Sequence, residues 1–142
     1  MNEKKKLPTI DDSELIAKAK VAMQFSYSPY SKFKVGACIL SADGRTFTGC
    51  NIENASYGAT NCAERTALFK AVSEGATEFL AIAVVAEKAM PWPCAICRQV
   101  LNEFAPSIRV IVVHEDRKEE ALLTELFPHA FGPNNGTNEF LC

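Results

Sequence analysis

Two short segments of the sequence carry cysteine, and one of them also carries a residue that can transfer protons. In "TNCAER", residues 60–65, Cys62 stands two positions before Glu64, and in "PCAICR" the thiols of Cys94 and Cys97 are three positions apart. Thiolates are soft ligands that suit zinc, and a nearby carboxylate can serve as a general acid or base. The two segments therefore predict a metal site with an acid–base group beside it.

Both segments begin predicted helices, at residues 62–74 and 94–105. With 3.6 residues per turn, Glu64 shares one face of its helix with an apolar stripe. The members of that stripe are Ala67, Leu68, Ala71 and Val72. A carboxylate turned inward is costly unless it has a partner, so it needs a functional reason. If the two helices pack side by side, three thiols converge at N-terminal helix ends, where the dipole stabilises thiolates.

Three thiol ligands leave one position of a tetrahedral zinc site open, which favours a catalytic site over a structural one. The two histidines, His114 and His129, have no ligand spacing that would close the tetrahedron. Two simpler interpretations stay open at this point. The C-x-x-C pair could be a redox pair or part of a structural zinc finger, and Glu64 could close a capping box with Asn61 or Thr60.

The pattern of the other segments predicts a sheet that positions these helices. A first helix is expected to begin at Asp11, Asp12 or Ser13 and to end at about Phe25. The residues expected on or near its buried face are Leu15, Ala19, Val21 and Ala22. Strands are expected at residues 34–42, 46–52, 79–86 and 108–113. The Asp-Gly pair of "SADGR" predicts an antiparallel hairpin, and the later alternation of helix and strand predicts parallel pairing. A short edge strand at "ALL" and a helical turn at "TELF" follow, and "GPNNGTNEFLC" is expected to be a surface tail.

Composition narrows the function classes. The 142 residues carry a net charge of −2, with no apolar run long enough for a membrane helix, so we expect one cytoplasmic domain over residues 1–142 with tails of about ten residues at each end. Neither a nucleic acid nor a membrane is an expected partner, and "KKK" is interpreted as a solvated tail. Among the six cysteines, Cys38 and Cys50 are expected to be buried and inert, and Cys142 idle.

The segments "CNIENASYGATNCAERTALFKAVSEG" and "PCAICRQVLNEF" resemble the small cytidine deaminases, and the resemblance extends over roughly residues 11–131. It implies an α/β fold, a three-layer mixed sheet of about five strands with helices on both faces. It also implies one Zn²⁺ per subunit on Cys62, Cys94 and Cys97 and hydrolytic attack on carbon 4 of the pyrimidine, with Glu64 moving the protons. The expected reaction converts cytidine and deoxycytidine to uridine and deoxyuridine in pyrimidine salvage.

The same resemblance implies the residues that bind the nucleoside. Asn51 and Glu53 of "NIEN" are expected to hydrogen-bond the ribose, and Phe33 and Ala63 to contact the base. Phe131 matches a position that completes the pocket of a neighbouring subunit in tetrameric members, so a homotetramer is expected by analogy. For Phe33, a plain core role is equally compatible with the sequence.

The charge of a three-thiolate site needs an offset, since three thiolates on Zn²⁺ leave a net charge of −1. Arg65 is the nearest candidate, because its guanidinium can donate to sulfur without losing its proton. An ordinary ion pair at a surface or interface is the alternative for this residue.

The chain also departs from the family pattern, at Ala95, Ile96 and Trp92, where smaller residues are usual. These departures leave the exact specificity open. Deamination of another amino-heterocycle such as an aminoglycosyl-pyrimidine antibiotic, of cytosine nucleotides or of polynucleotide bases is an alternative, and so is a zinc-dependent interaction module.

Overall fold

The computed structural model describes residues 10–133. Its main elements are α1 (Asp12–Met23), β1 (Val35–Ser41), β2 (Thr46–Cys50), α2 (Ala63–Ser73), β3 (Phe79–Ala86), α3 (Ala95–Phe104), β4 (Arg109–His114), β5 (Arg117–Leu122) and α4 (Leu123–Leu126). A 3-10 turn at Tyr57–Ala59 precedes α2. Residues 1–9 and 134–142 lie outside the described part, so the predictions for "KKK", the C-terminal tail, Cys142 and a single domain over residues 1–142 stay predictions.

The strands form one mixed sheet in the order β2-β1-β3-β4-β5. The predicted hairpin places β1 antiparallel to β2, and β3 runs parallel to β4, as the alternation of helix and strand predicts. β1 lies between β2 and β3 and is antiparallel to both. The connection through α2 therefore joins two parallel strands across β1, and it brings the start of α2 to the same end of the sheet as the start of α3.

Each face of the sheet carries its own apolar core, because alternate residues of a strand point to opposite faces. Ala37 and Ile39 of β1 pack with Ala67 and Leu68 of α2 on one face. Cys38 and Leu40 pack under α1 on the other face. The three-layer α/β prediction with about five strands and helices on both faces is confirmed, and the predicted burial of Cys38 is confirmed as well.

The predicted α1 stripe is correct at three positions and wrong at one. Leu15, Ala19 and Ala22 are buried, whereas 63% of Val21 is exposed. The three buried residues recur at spacings of four and three, which define a narrow stripe, and Val21 lies beside that stripe.

The last strand is longer than predicted. β5 begins at Arg117 rather than at "ALL", and the third residue of that segment, Leu123, already belongs to α4. A two-residue turn joins β4 to β5, with Glu115 at a φ of 52°. β5 is an edge strand with charged side chains on its exposed surface, and its pairing with β4 depends on main-chain hydrogen bonds, which a hydrophobic pattern does not reveal.

A glycine allows α2 to approach the sheet closely. A Cβ atom at Gly49 of β2 would lie 2.5 Å from the backbone nitrogen of Ala67 and 2.6 Å from the carbonyl oxygen of Ala63. No side chain fits at that distance, so Gly49 sets how close the N-terminal turns of α2 lie to the sheet.

Within residues 10–133, none of the helices has the length and apolar character required to cross a membrane.

Candidate active site

The thiols of Cys62, Cys94 and Cys97 meet where α2 and α3 begin. Their sulfur atoms all lie within 4.8 Å of one another, and the sulfurs of Cys62 and Cys94 are 3.7 Å apart. Cys62 and Cys94 are the N-cap residues of α2 and α3, and Cys97 lies in the first turn of α3. The sequence-predicted ligands are thus brought together by the packing of two helix ends.

The geometry of the three sulfurs fits a tetrahedral zinc ion. With zinc–sulfur bonds of about 2.3 Å, two ligands of a tetrahedron are about 3.8 Å apart, close to the separation of the Cys62 and Cys94 sulfurs. All three cysteines are free thiols, so this arrangement is not a disulfide. Within residues 10–133, the metal-ligating group contains these three side chains and no histidine or fourth cysteine. The three-ligand set opposes a closed structural zinc finger.

Glu64 lies beside the thiols and is almost entirely buried, with 5% of its surface exposed. Burial is the largest cause that raises the pKa of its carboxyl group to about 7, and the negative charge of Cys62 raises it further. A carboxyl group with a pKa near neutrality can both accept and return a proton. The capping-box alternative does not hold, because Cys62 is the N-cap of α2 and makes no side-chain capping hydrogen bond.

Hydrogen bonds favour a thiolate at Cys62. The hydrogen bond with the Cys97 thiol is the largest cause that lowers the pKa of Cys62, to about 5, and the Arg65 guanidinium lowers it as well. Arg65 Nη2 donates to the Cys62 sulfur at 3.3 Å. Sharing of that proton raises the pKa of Cys97. The structure therefore places the guanidinium where the charge-tuning prediction requires it, although this contact does not test the role.

A cavity of about 350 Å³ opens onto the site. Its wall contains four of the predicted substrate-binding residues together with Glu64 and the thiols of Cys62 and Cys94. Those four are Phe33, Asn51, Glu53 and Ala63. Apolar ring surface from Phe33 and carboxylate and amide groups in one cavity of this size can hold a small polar heterocycle.

Glu53 presents a charged carboxylate to this cavity. Its Oε1 atom accepts hydrogen bonds from the backbone N–H groups of Tyr30, at 2.9 Å, and Ser31, at 3.1 Å. Hydrogen bonding to Ser31 is the largest cause that lowers the pKa of Glu53, so the group is ionised at neutral pH. The two backbone N–H groups hold the carboxylate in place at the cavity wall, where it can accept a hydrogen bond from a hydroxyl group.

Asn51 has a structural task as well as a place in the cavity wall. Its Oδ1 atom accepts from the Ser26 hydroxyl and from the backbone N–H of Val35, and its Nδ2 atom donates to the carbonyl oxygen of Phe33 at 2.7 Å. The amide therefore fixes the segment that carries Phe33. One N–H of the amide is left to reach a ligand.

Phe131 is the predicted substrate-binding residue that lies away from the cavity. Its carbonyl oxygen accepts hydrogen bonds from the side chains of Gln99, at 2.9 Å, and Asn102, at 3.2 Å, which attach the segment to α3. The residue is 66% exposed. The ring thus contributes nothing to the cavity of its own chain and is presented to the outside.

Several cavity residues were not predicted from the sequence. They are Ser31, Val35, Thr60, Asn61, Pro91 and Trp92. Most of them are ordinary neighbours of predicted residues, whereas Trp92 is one of the positions at which the sequence departs from the family pattern. A tryptophan separated by one proline from a metal-ligating cysteine cannot lie far from that ligand.

Comparison with known proteins gives a consistent result. The sequence pattern described as the cytidine and deoxycytidylate deaminase zinc-binding region matches residues 9–115. A cytidine deaminase of Sporosarcina psychrophila is 48% identical over 125 residues, which are 86% of this chain and 92% of that protein. A cytidine deaminase of Halalkalibacterium halodurans is 49% identical over 125 residues, 86% of this chain and 95% of the relative.

The solved structures that resemble this chain are also cytidine deaminases. The crystal structure of cytidine deaminase from Burkholderia pseudomallei superposes with a TM-score of 0.82 at 45% sequence identity. The superposition covers 86% of this chain and 100% of that chain. Cytidine deaminase from Mycobacterium tuberculosis has a TM-score of 0.76 at 42% identity, over 87% of this chain and 99% of that one.

Proposed function

The chain belongs to the cytidine and deoxycytidylate deaminase family, and on that premise we propose that it is a zinc-dependent hydrolase that converts cytidine and deoxycytidine to uridine and deoxyuridine with release of ammonia. The observation that carries the proposal is the buried carboxylate of Glu64 beside three converging thiols in one cavity. The zinc cofactor follows from the family and from the fit of the sulfurs.

In the proposed mechanism Cys62, Cys94 and Cys97 hold Zn²⁺, which when bound supplies the Lewis acidity that makes a water molecule reactive near neutral pH. Glu64 accepts a proton from the attacking water and delivers it to the ring nitrogen next to carbon 4. It then takes the second proton of that water, from the hydroxyl group now on carbon 4, and passes it to the amino group, which leaves as ammonia, so that one carboxyl group serves each proton transfer. Its burial keeps bulk water away from these transfers.

The remaining cavity residues orient the nucleoside. The carboxylate of Glu53 and the remaining amide N–H of Asn51 are assigned to the ribose hydroxyls. Phe33 packs against the pyrimidine, in a position fixed by Asn51, and Ala63 leaves space for the ring at the start of α2. The Arg65 guanidinium offsets the negative charge of the thiolates.

The assembly we propose is a homotetramer in which Phe131 of one subunit completes the cavity of another. The exposed ring of Phe131, on a segment fixed to α3, supports this assignment.

We assign the protein to the cytoplasm and to pyrimidine salvage. Free thiols and a reaction that returns cytidine to the uridine pool support that assignment.

Substrate selectivity tests the proposal directly. Purified zinc-loaded protein is incubated with cytidine, deoxycytidine, cytosine and CMP, and the loss of pyrimidine absorbance is followed together with release of ammonia. Cytidine and deoxycytidine are expected to react, and cytosine to react poorly for lack of ribose contacts. CMP is expected to react poorly because the sequence contains no glycine-rich phosphate-binding loop. Faster turnover of CMP than of cytidine would make the protein a nucleotide deaminase instead.

A further inference from the structure

The cavity wall contains a tryptophan that the proposed mechanism does not use. Trp92 is the single tryptophan of the sequence, and it lines the cavity together with Phe33 and Glu64. Its side chain is partly covered, with 39% of the residue exposed, so the indole lies at the rim of the cavity.

The segment that carries Trp92 is rigid. Pro91 and Pro93 flank it and are both buried, and each proline fixes its own φ angle near −65°. The backbone N–H of Trp92 donates to the carbonyl oxygen of Met90 at 3.1 Å. The indole is therefore attached to a backbone with little freedom to withdraw from the cavity wall.

Chain connectivity places Trp92 close to the thiols. A single residue separates it from Cys94, so the two Cα atoms are at most about 7.6 Å apart. Both residues line the same cavity. The part of the wall that Trp92 forms is thus near the sulfur of Cys94. Because Cys94 is a proposed zinc ligand, the reacting carbon of a substrate has to lie close to this sulfur.

The chemistry of the substrate connects this position to specificity. In cytosine, carbon 5 is bonded directly to carbon 4, so a substituent on carbon 5 extends into the space beside the reacting carbon. We propose that Trp92 forms the wall beside the bond between carbons 4 and 5 of the pyrimidine, and that its bulk selects against pyrimidine nucleosides substituted at carbon 5. This inference rests on the proposed deamination of cytidine and deepens it.

The size of the effect follows from the cost of a misplaced methyl group. One methyl group more or less in a packed pocket changes discrimination by about 10- to 200-fold. Trp92→Ser removes the indole and keeps a small side chain at that position. We expect this variant to raise the ratio of kcat/KM for 5-methylcytidine to kcat/KM for cytidine by at least about 10-fold.

Ile96 provides the matched control. It is a large apolar residue four positions further on, it is 58% exposed, and it is absent from the cavity wall. Ile96→Ser should leave the ratio of the two kcat/KM values unchanged. Zinc content and thermal unfolding are measured for both variants, so that a ratio is compared between equally folded and equally loaded proteins.

A second measurement does not depend on turnover. Because Trp92 is the single tryptophan, the tryptophan fluorescence of the wild-type protein reports on this one ring. Addition of the product uridine should change the emission in a saturable way. The midpoint should agree with the dissociation constant from calorimetry. Calorimetric binding of uridine without any change in emission would overturn the placement of Trp92 beside the base.

The two proposals fail differently. Deamination of cytidine with an unchanged substrate ratio in Trp92→Ser would overturn the role of Trp92 and leave the proposed function intact. A zinc-loaded protein that deaminates neither nucleoside would overturn the proposed function, and this inference with it.

Discussion

Glu64 is a carboxylate that the fold keeps away from water within the first turn of α2. Replacement by glutamine keeps the size and hydrogen-bonding shape of the side chain but removes its ability to accept a proton. We expect Glu64→Gln to retain zinc and the fold and to lower kcat for cytidine by at least about 10²–10⁴-fold, because this one group serves several proton transfers. Steady-state kinetics and elemental analysis of zinc measure the two effects.

Glu103→Gln is the control for this substitution, since Glu103 is an exposed glutamate of α3 outside the cavity. It should have normal turnover. A kcat of the Glu64→Gln variant close to that of wild type would show that another group transfers the protons.

Arg65 is a partly buried cation in contact with the Cys62 sulfur. Its hydrogen bond and its charge both lower the pKa of Cys62, although the bond with Cys97 contributes more. Arg65→Gln should therefore raise the pKa of Cys62 in the zinc-free protein. The rate of alkylation by iodoacetamide as a function of pH measures it, with the modified cysteine identified by mass spectrometry. Thiolate is the reactive form, so the midpoint of the rate should move to higher pH.

Arg45→Gln is the matched control for Arg65→Gln. Arg45 is an exposed arginine that pairs with Asp43 beside the first hairpin. It should leave the alkylation profile of Cys62 unchanged. The same profile in Arg65→Gln and wild type would exclude charge tuning by this arginine.

At the level of single residues, the sequence predicts chemistry well where residue type and spacing carry it. Cys62, Cys94 and Cys97 are recognisable because three thiols at predicted helix starts are a ligand set that suits zinc. The second task of Asn51, holding Phe33 in place, was not predictable, because a hydrogen bond to a distant carbonyl leaves no local pattern.

Among the secondary-structure elements, the contact between α2 and β2 has the most direct effect on the site. Gly49→Ala would place a methyl group against backbone atoms of Ala63 and Ala67, which cannot move aside as a flexible side chain can. We expect this variant to lose about 1–3 kcal/mol of stability, or roughly 3–9 °C in Tm. Zinc affinity should also fall, because the displaced turns of α2 carry Cys62. Thermal unfolding and a competition assay with a zinc chelator measure these effects.

Gly58→Ala is a suitable control, because a Cβ atom at Gly58 meets no other atom within 4 Å. It should leave both Tm and zinc affinity close to those of wild type. Equal zinc affinity in Gly49→Ala and Gly58→Ala would mean that the position of α2 does not control the metal site.

The elements differ in how far the sequence determines them. β3 is a buried strand in the centre of the sheet, and its continuous apolar run predicts its limits at residues 79 and 86 correctly. β5 is an exposed edge strand that begins with four charged residues, so its first residue was predicted too late. Val21 was predicted to be buried because it is apolar, but the helix face it occupies is set by the direction of α1 over the sheet.

For the whole molecule, the proposed tetramer makes activity a property shared between subunits. Phe131→Ala removes the exposed ring and leaves the backbone that Gln99 and Asn102 hold. Loss of an apolar contact of that size should lower kcat/KM by about 10- to 100-fold. Glu64→Gln is inactive for a different reason, and it retains Phe131. Co-expression of the two variants should therefore produce mixed tetramers in which intact sites recover activity, measured as kcat/KM of the purified mixture.

A double variant, Glu64→Gln with Phe131→Ala, is the control for this experiment. Co-expressed with Phe131→Ala, it supplies neither a catalytic carboxylate nor the ring, so activity should not recover. If Phe131→Ala had the same kcat/KM when co-expressed with Glu64→Gln as when co-expressed with the double variant, Phe131 would act within its own subunit.

The charged edge strand β5 has a consequence for the behaviour of the protein at high concentration. An unpaired strand edge is a template on which identical chains can add by backbone hydrogen bonding, and unlimited addition produces fibrils. In β5 the first four residues are charged, namely Arg117, Lys118, Glu119 and Glu120. A second copy could add to this edge only by dehydrating these charges. Growth of a continuous intermolecular sheet from β5 is therefore disfavoured.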